Sequence, residues 1–175
     1  VVLNGGNYKG NTDNGAFIKP RGEGKIVLKL NGVNYTDSSD NGYVVALDSY
    51  EGTDISLYVD GGTYSSAAGI NVYNGEIKNA KVTATGSTWE YGTAIEVVGD
   101  EEVDRYVGGT TLIEDCEIES KAYGVAVGFS SKVTVQNCNV TSADKAYVVF
   151  PSGGTIDVVG GSYKGELYIY ELDSK

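Results

Sequence analysis

The residue types able to do chemistry in this chain cluster in one interval. It holds the single tryptophan, Trp89, with Tyr91 two residues on, then a carboxylate-rich run of Asp100, Glu101, Glu102 and Asp104 that ends in Arg105 and Tyr106. Flat aromatic rings beside carboxylates and amides suit the binding of sugars, whose faces stack and whose hydroxyls bond at the rim. The acidic run also offers hard oxygen ligands, and Asp100, Glu102 and Asp104 are the candidates for calcium, but they lack an ordered ligand spacing. A solvated charged loop is the plainer reading, and no other cofactor is indicated.

Other chemistries find little material. The chain has no histidine, which removes the commonest general base and the commonest zinc ligand together. Its serine and threonine hydroxyls therefore have no imidazole to activate them. No catalytic residue set is legible, so the chain is expected to be a binding module rather than an enzyme. Cys116 and Cys138 fall at the same position of successive repeats and are expected to be small inward residues of structural use. Stacked side-chain vectors suit a disulfide poorly.

Charge and length bound the partners. Thirteen basic residues against 24 acidic ones leave a formal charge of −11 over 175 residues. A nucleic acid or an anionic membrane would need a basic face. No apolar run has the length of a membrane span. The remaining partners are a glycan or a protein surface. The chain starts abruptly inside a repeat and is expected to be a module of a longer secreted or cell-surface protein, with adjacent domains.

The elements that must position these residues are repeats. A turn position recurs at Gly5, Gly32, Gly61, Asn79, Asp115, Asn137 and Gly160. Glycine, asparagine and aspartate tolerate a left-handed backbone, so this column predicts a tight bend between two strands. Two residues before it stand Leu3, Leu30, Val59, Ile77, Ile113, Val135 and Val158. Three residues after it stand Tyr8, Tyr35, Tyr64, Val82, Ile118, Val140 and Tyr163, with polar residues between. This is period-two alternation with one face inward. A third strand per repeat is predicted at 16–19, 44–47, 70–73, 94–98, 125–129, 147–150 and 167–170.

Self-similarity at this spacing without helical periodicity predicts an all-β chain: a single right-handed parallel β-helix of about seven coils and three parallel sheets, covering residues 1–175 as one domain. The stretch Lys-Val-Thr-Val-Gln-Asn-Cys-Asn-Val at 132–140 resembles the generic coil of the right-handed parallel β-helix, or pectin-lyase-like, superfamily of polysaccharide lyases, phage tailspikes and bacterial surface proteins. The resemblance puts Asn137 in that family's internal asparagine ladder. The Gly-Gly-x-Tyr repeats ending at Tyr8, Tyr64 and Tyr163 are similar to coils of large secreted or surface-anchored bacterial proteins. Lyases of the superfamily are expected to pair a calcium-binding carboxylate cluster with a basic residue, and only Arg21 and Arg105 are available as arginines. Its hydrolases carry paired aspartates with a histidine and an Arg-x-Lys element, and this chain has neither of the latter.

Two places break the regularity. The interval from Val82 to Ile118 carries two insertions, 85–92 and 99–109, flanking one third strand. Two walls above one face are a usual way for a scaffold to present a site. Alternation also puts Tyr73, Glu96, Phe150, Tyr168 and Tyr170 on the outward side of the third strands, as a contiguous apolar and aromatic face. The expected function is carbohydrate recognition or adhesion. The alternatives are a lyase or glycoside hydrolase fragment acting on acidic polysaccharide, and a structural spacer or stalk.

Overall fold

A computed structural model describes residues 1–10, 15–20, 24–47, 53–102 and 105–170. Among the described residues there is no helix, and none is therefore long and apolar enough to cross a membrane. Seventeen strands join one large sheet in which the pairing is parallel throughout, and two more form a separate antiparallel hairpin, Gly99–Glu102 with Arg105–Gly108.

The parallel registers follow the sequence columns residue for residue. Leu3 pairs with Leu30, and the ladder continues through Val59, Ile77, Ile113 and Val135 to Val158. Beyond the turn, Tyr8 pairs with Tyr35, followed by Tyr64, Val82, Ile118, Val140 and Tyr163. In the third strands Ile18 pairs with Val45, followed by Ile70, Ile95, Val125, Tyr147 and Leu167. Each ladder is held by main-chain hydrogen bonds, so a one-residue slip would turn every apolar side chain outward. Inward members of the three ladders meet in one continuous core that includes Leu30, Val59, Tyr64, Ile77, Ile95 and Ile118.

The turn column behaves as its residue types require. All seven positions have positive φ, from 52° at Asn137 to 74° at Gly160. One expectation is corrected here. Asn137, Asp115 and Asn79 are exposed at this bend, so Asn137 is not part of an internal asparagine ladder. The position selects a backbone conformation that short polar side chains tolerate, and the interior beside it is apolar. Cys116 and Cys138 are both buried and free. Each sulfur lies 3.2–3.3 Å from the carbonyl oxygen two residues before it, Glu114 and Gln136. They are core residues, and the hydrogen bond with Cys138, together with burial, pushes the Cys116 thiol up.

Candidate functional site

The first insertion lies at the corner between the second and third ladders, joining Lys81–Ala84 to Thr93–Val97. Its base is tied to the neighbouring repeat, since Thr85 N donates to Ser66 O and Gly86 N to Ala67 O. Within the loop Tyr91 N donates to Thr88 Oγ1 at 3.1 Å, and Thr93 Oγ1 donates to the Trp89 carbonyl at 2.8 Å. Gly86 is required here, because a Cβ would lie 1.5 Å from the Tyr91 carbonyl oxygen. These bonds fix the loop while leaving Trp89 60% exposed.

Against this loop is a cleft of about 280 Å³ whose lining includes Asp40, Thr85, Ser87, Thr88, Tyr91 and Lys121. Asp40 and Lys121 come from the same corner of the preceding and following parts of the stack, after strand Gly24–Asp37 and strand Glu117–Ser120. Carboxylate, ammonium and hydroxyl groups therefore converge beside Tyr91. Sequence reading missed Asp40 and Lys121. The signal that would have found them is positional: every residue linking a second strand to a third belongs to one corner.

Tyr43 was missed for a similar reason. It opens the third strand Tyr43–Val45, in a column continued by Ala68, Thr93 and Tyr123. Its ring meets that of Tyr91 at 5.8 Å, edge to face, and its hydroxyl donates to the Glu90 carbonyl at 3.3 Å. Burial, with Tyr91 and the charges of Glu90 and Glu96 nearby, pushes the Tyr43 hydroxyl up to about 12.

Glu96 sits on the outward side of the third ladder, between Asn71 on one rung and Ala126 on the next. It is only partly exposed. Burial raises its carboxyl from 4.5 to about 7.

The rest of the outward face differs from the expectation of a contiguous exposed patch. Ala126 and Val148 are fully buried beneath Tyr123, Phe150 and Tyr170, which form a second, smaller core with them. The Tyr123 and Tyr170 hydroxyls are 3.0 Å apart, and Tyr168 packs edge-on against Tyr170 at 4.7 Å. Lys145 lies over the rings of Tyr123 and Tyr168. Phe150 and Tyr170 are thus largely occupied in packing, while Tyr168 retains exposed surface. Tyr73 directly follows the strand Ala68–Val72, one rung before that of Glu96, and packs beside Gly109.

The structure therefore brings Tyr91 and Glu96 near one residue, Tyr43, leaves Trp89 exposed on the loop beside Tyr91, and places Phe150, Tyr168 and Tyr170 further along the face that carries Glu96. Glu96 and Tyr168 are three rungs apart, roughly 14 Å at the usual strand spacing. Asp100, Glu101, Glu102, Arg105 and Tyr106 belong to the antiparallel hairpin, whose backbone alone is described. Asp104 lies outside the described residues. Among the described residues no group of three carboxylate or thiol side chains could hold a metal ion.

No family model, curated protein or solved structure matches this chain.

Proposed function

We propose that the chain is a non-catalytic module of a secreted or cell-surface protein that recognises a glycan. In this reading it winds as a right-handed parallel β-helix of seven coils, similar to pectin-lyase-like solenoids. The three in-register parallel ladders support the winding, and strand-to-parallel-strand crossovers are almost always right-handed.

The observation that carries glycan recognition is the corner loop, residues 85–92. A hydrogen-bonded loop holds a half-buried tyrosine at a polar cleft and carries an exposed tryptophan two residues before it. An exposed tryptophan on a fixed loop has no packing use, whereas a ring face beside hydroxyl, carboxylate and ammonium groups matches the two sides of a sugar.

A glycan array with the wild type and the Trp89→Ala, Tyr91→Ala double variant tests this reading. Binding by the wild type that drops at least about tenfold in the variant is expected, because aromatic anchors dominate such contacts. Wild-type protein that binds no glycan overturns the reading and leaves a spacer or a protein-binding surface.

A further inference from the structure

A glycine directly after the turn column takes one conformation wherever it occurs. Gly6, Gly62 and Gly161 have φ of 104°, 97° and 81°. At Gly62 and Gly161 the backbone of the preceding repeat presses close. A Cβ there would lie 2.0 Å from the Val33 carbonyl oxygen and 2.1 Å from that of Cys138. Gly6 has the same shape in the first repeat, where the atoms nearest a prospective Cβ belong to the Tyr8 ring. The outer edge of the first repeat is thus already formed as a socket for the carbonyl of a repeat stacked upon it.

The last repeat presents what would enter that socket. Turn-column amides donate forward along the stack, Gly5 N to Asn31 O, Asp115 N to Gln136 O and Asn137 N to Val159 O. Carbonyls just beyond the turn accept from the next repeat, as Gly6 O does from Asn34 N and Cys138 O from Ser162 N. One further rung of this pattern would join Gly160 N to Asn4 O, and Asn7 N to Gly161 O. The same register sets Val158 against Leu3, Tyr163 against Tyr8 and Leu167 against Ile18, each the end member of its ladder. Tyr8, Val158, Tyr163 and Leu167 are exposed at these ends. Members of the same columns with a rung on either side, such as Tyr35, Val135, Val140 and Tyr147, are buried.

Charge also distinguishes the two ends. Residues 1–30 hold five of the 13 basic residues and two of the 24 acidic ones, whereas residues 154–175 hold two basic and four acidic. A net positive end and a net negative end attract. The like-charged pair that this register makes, Lys164 beside Lys9, is exposed and therefore screened. The edge strands Val2–Asn4 and Ala16–Ile18 carry neither charge nor proline, the usual devices against edge pairing.

We propose that copies of this chain stack head to tail, the last repeat of one pairing in parallel with the first repeat of the next. A second copy supplies the three matched columns, the carbonyl for Gly6 and the opposite charge together. The contact joins two different surfaces, so it does not close and produces chains of growing length. It does not depend on the glycan reading.

Sedimentation velocity of the 175-residue chain from about 10 μM to about 1 mM, where weak contacts form, tests it. The weight-average mass is expected to rise at least about threefold without stopping at a dimer. Leu167→Lys puts a charge where a second copy would bury it, yet the position is exposed in the single chain. This variant is expected to stay monomeric with an unchanged melting temperature. Gly6→Ala fills the socket and is expected to stay monomeric too, whereas Gly5→Asn, at a turn position in open space, associates as the wild type does. Mixed in equal amounts, Leu167→Lys offers an intact first repeat and Gly6→Ala an intact last one, so dimers and nothing larger are expected. A wild type that remains monomeric, or that stops at a dimer, overturns the proposal. Growth that persists in Leu167→Lys overturns it as well, and that variant decides alone if Gly6→Ala does not fold.

Discussion

Glu117 and Glu96 are displaced from the ordinary carboxylate range in opposite directions, for opposite reasons. Lys81 holds Glu117 down, whereas burial pushes Glu96 up to about 7. The consequence for stability has a definite sign. A group whose folded value lies above its unfolded one stabilises the fold while protonated, and that contribution is lost as pH rises through the folded value. For Glu96 the window runs from its ordinary 4.5 to about 7. Thermal melts should therefore show Glu96→Gln gaining on the wild type as pH is raised across this window, with a constant difference above it. Glu117 and the other carboxylates cancel in that comparison. Parallel melting curves at all pH values would mean that Glu96 is not desolvated in the folded state.

Among the elements, the strand–turn–strand pairs are the least tolerant parts. Gly24–Asp37 and Thr53–Ser66 each run straight through the turn and pair along almost their full length. Two glycines at these bends, Gly32 in the turn column and Gly62 one residue beyond it, carry different constraints. Gly32 has φ +61° and no atom near a prospective Cβ, so asparagine, which occupies this column elsewhere, fits. Gly62 has φ +97° and its Cβ would lie 2.0 Å from the Val33 carbonyl oxygen of the adjacent strand. Backbone against backbone leaves no rotamer to relieve the contact. Urea denaturation should place Gly32→Asn within about 0.5 kcal/mol of the wild type. Gly62→Ala should cost about 3 kcal/mol or more. Similar costs for the two would show that positive φ, rather than the approach of the neighbouring strand, sets the requirement.

For the whole molecule, the decisive property is that each repeat contacts only its neighbours, so stability rises from the ends toward the middle. The strand Tyr123–Val127 is buried at every position, whereas Ser162–Ile169 is exposed along its length and pairs on one side only. Leu167 is 60% and Ile169 71% exposed, although their partners in the third ladder, Tyr147 and Val149, face inward. Hydrogen exchange should therefore find the amides of 162–169 opening at least about a hundredfold more often than those of 123–127, as local openings at the end of a stack do. Uniform protection across all repeats would instead indicate a single cooperative unit whose end is stabilised by something other than these contacts.

How much was legible in advance follows from the range of the interactions involved. The turn column, the inward positions and the three ladders could be read directly, because φ tolerance and period-two burial act over a few residues and recur. In-register stacking then carried each local reading to its neighbours, from Leu3 to Val158 and from Tyr8 to Tyr163. The exposed position of Asn137 was not readable, since alternation alone does not say whether a bend points into the core or away from it. Nor was the covering of Ala126 and Val148, which depends on aromatic rings from three successive repeats folding over them. The candidate site shows the same division. Trp89 and Tyr91 were visible as an interruption of the repeat. The meeting of Asp40, Tyr43 and Lys121 with that loop, and the burial of Glu96, exist only once successive repeats are laid one rung apart. Local conformational preference is written in the sequence, while proximity across the stack, and the desolvation that comes with it, belongs to the tertiary structure.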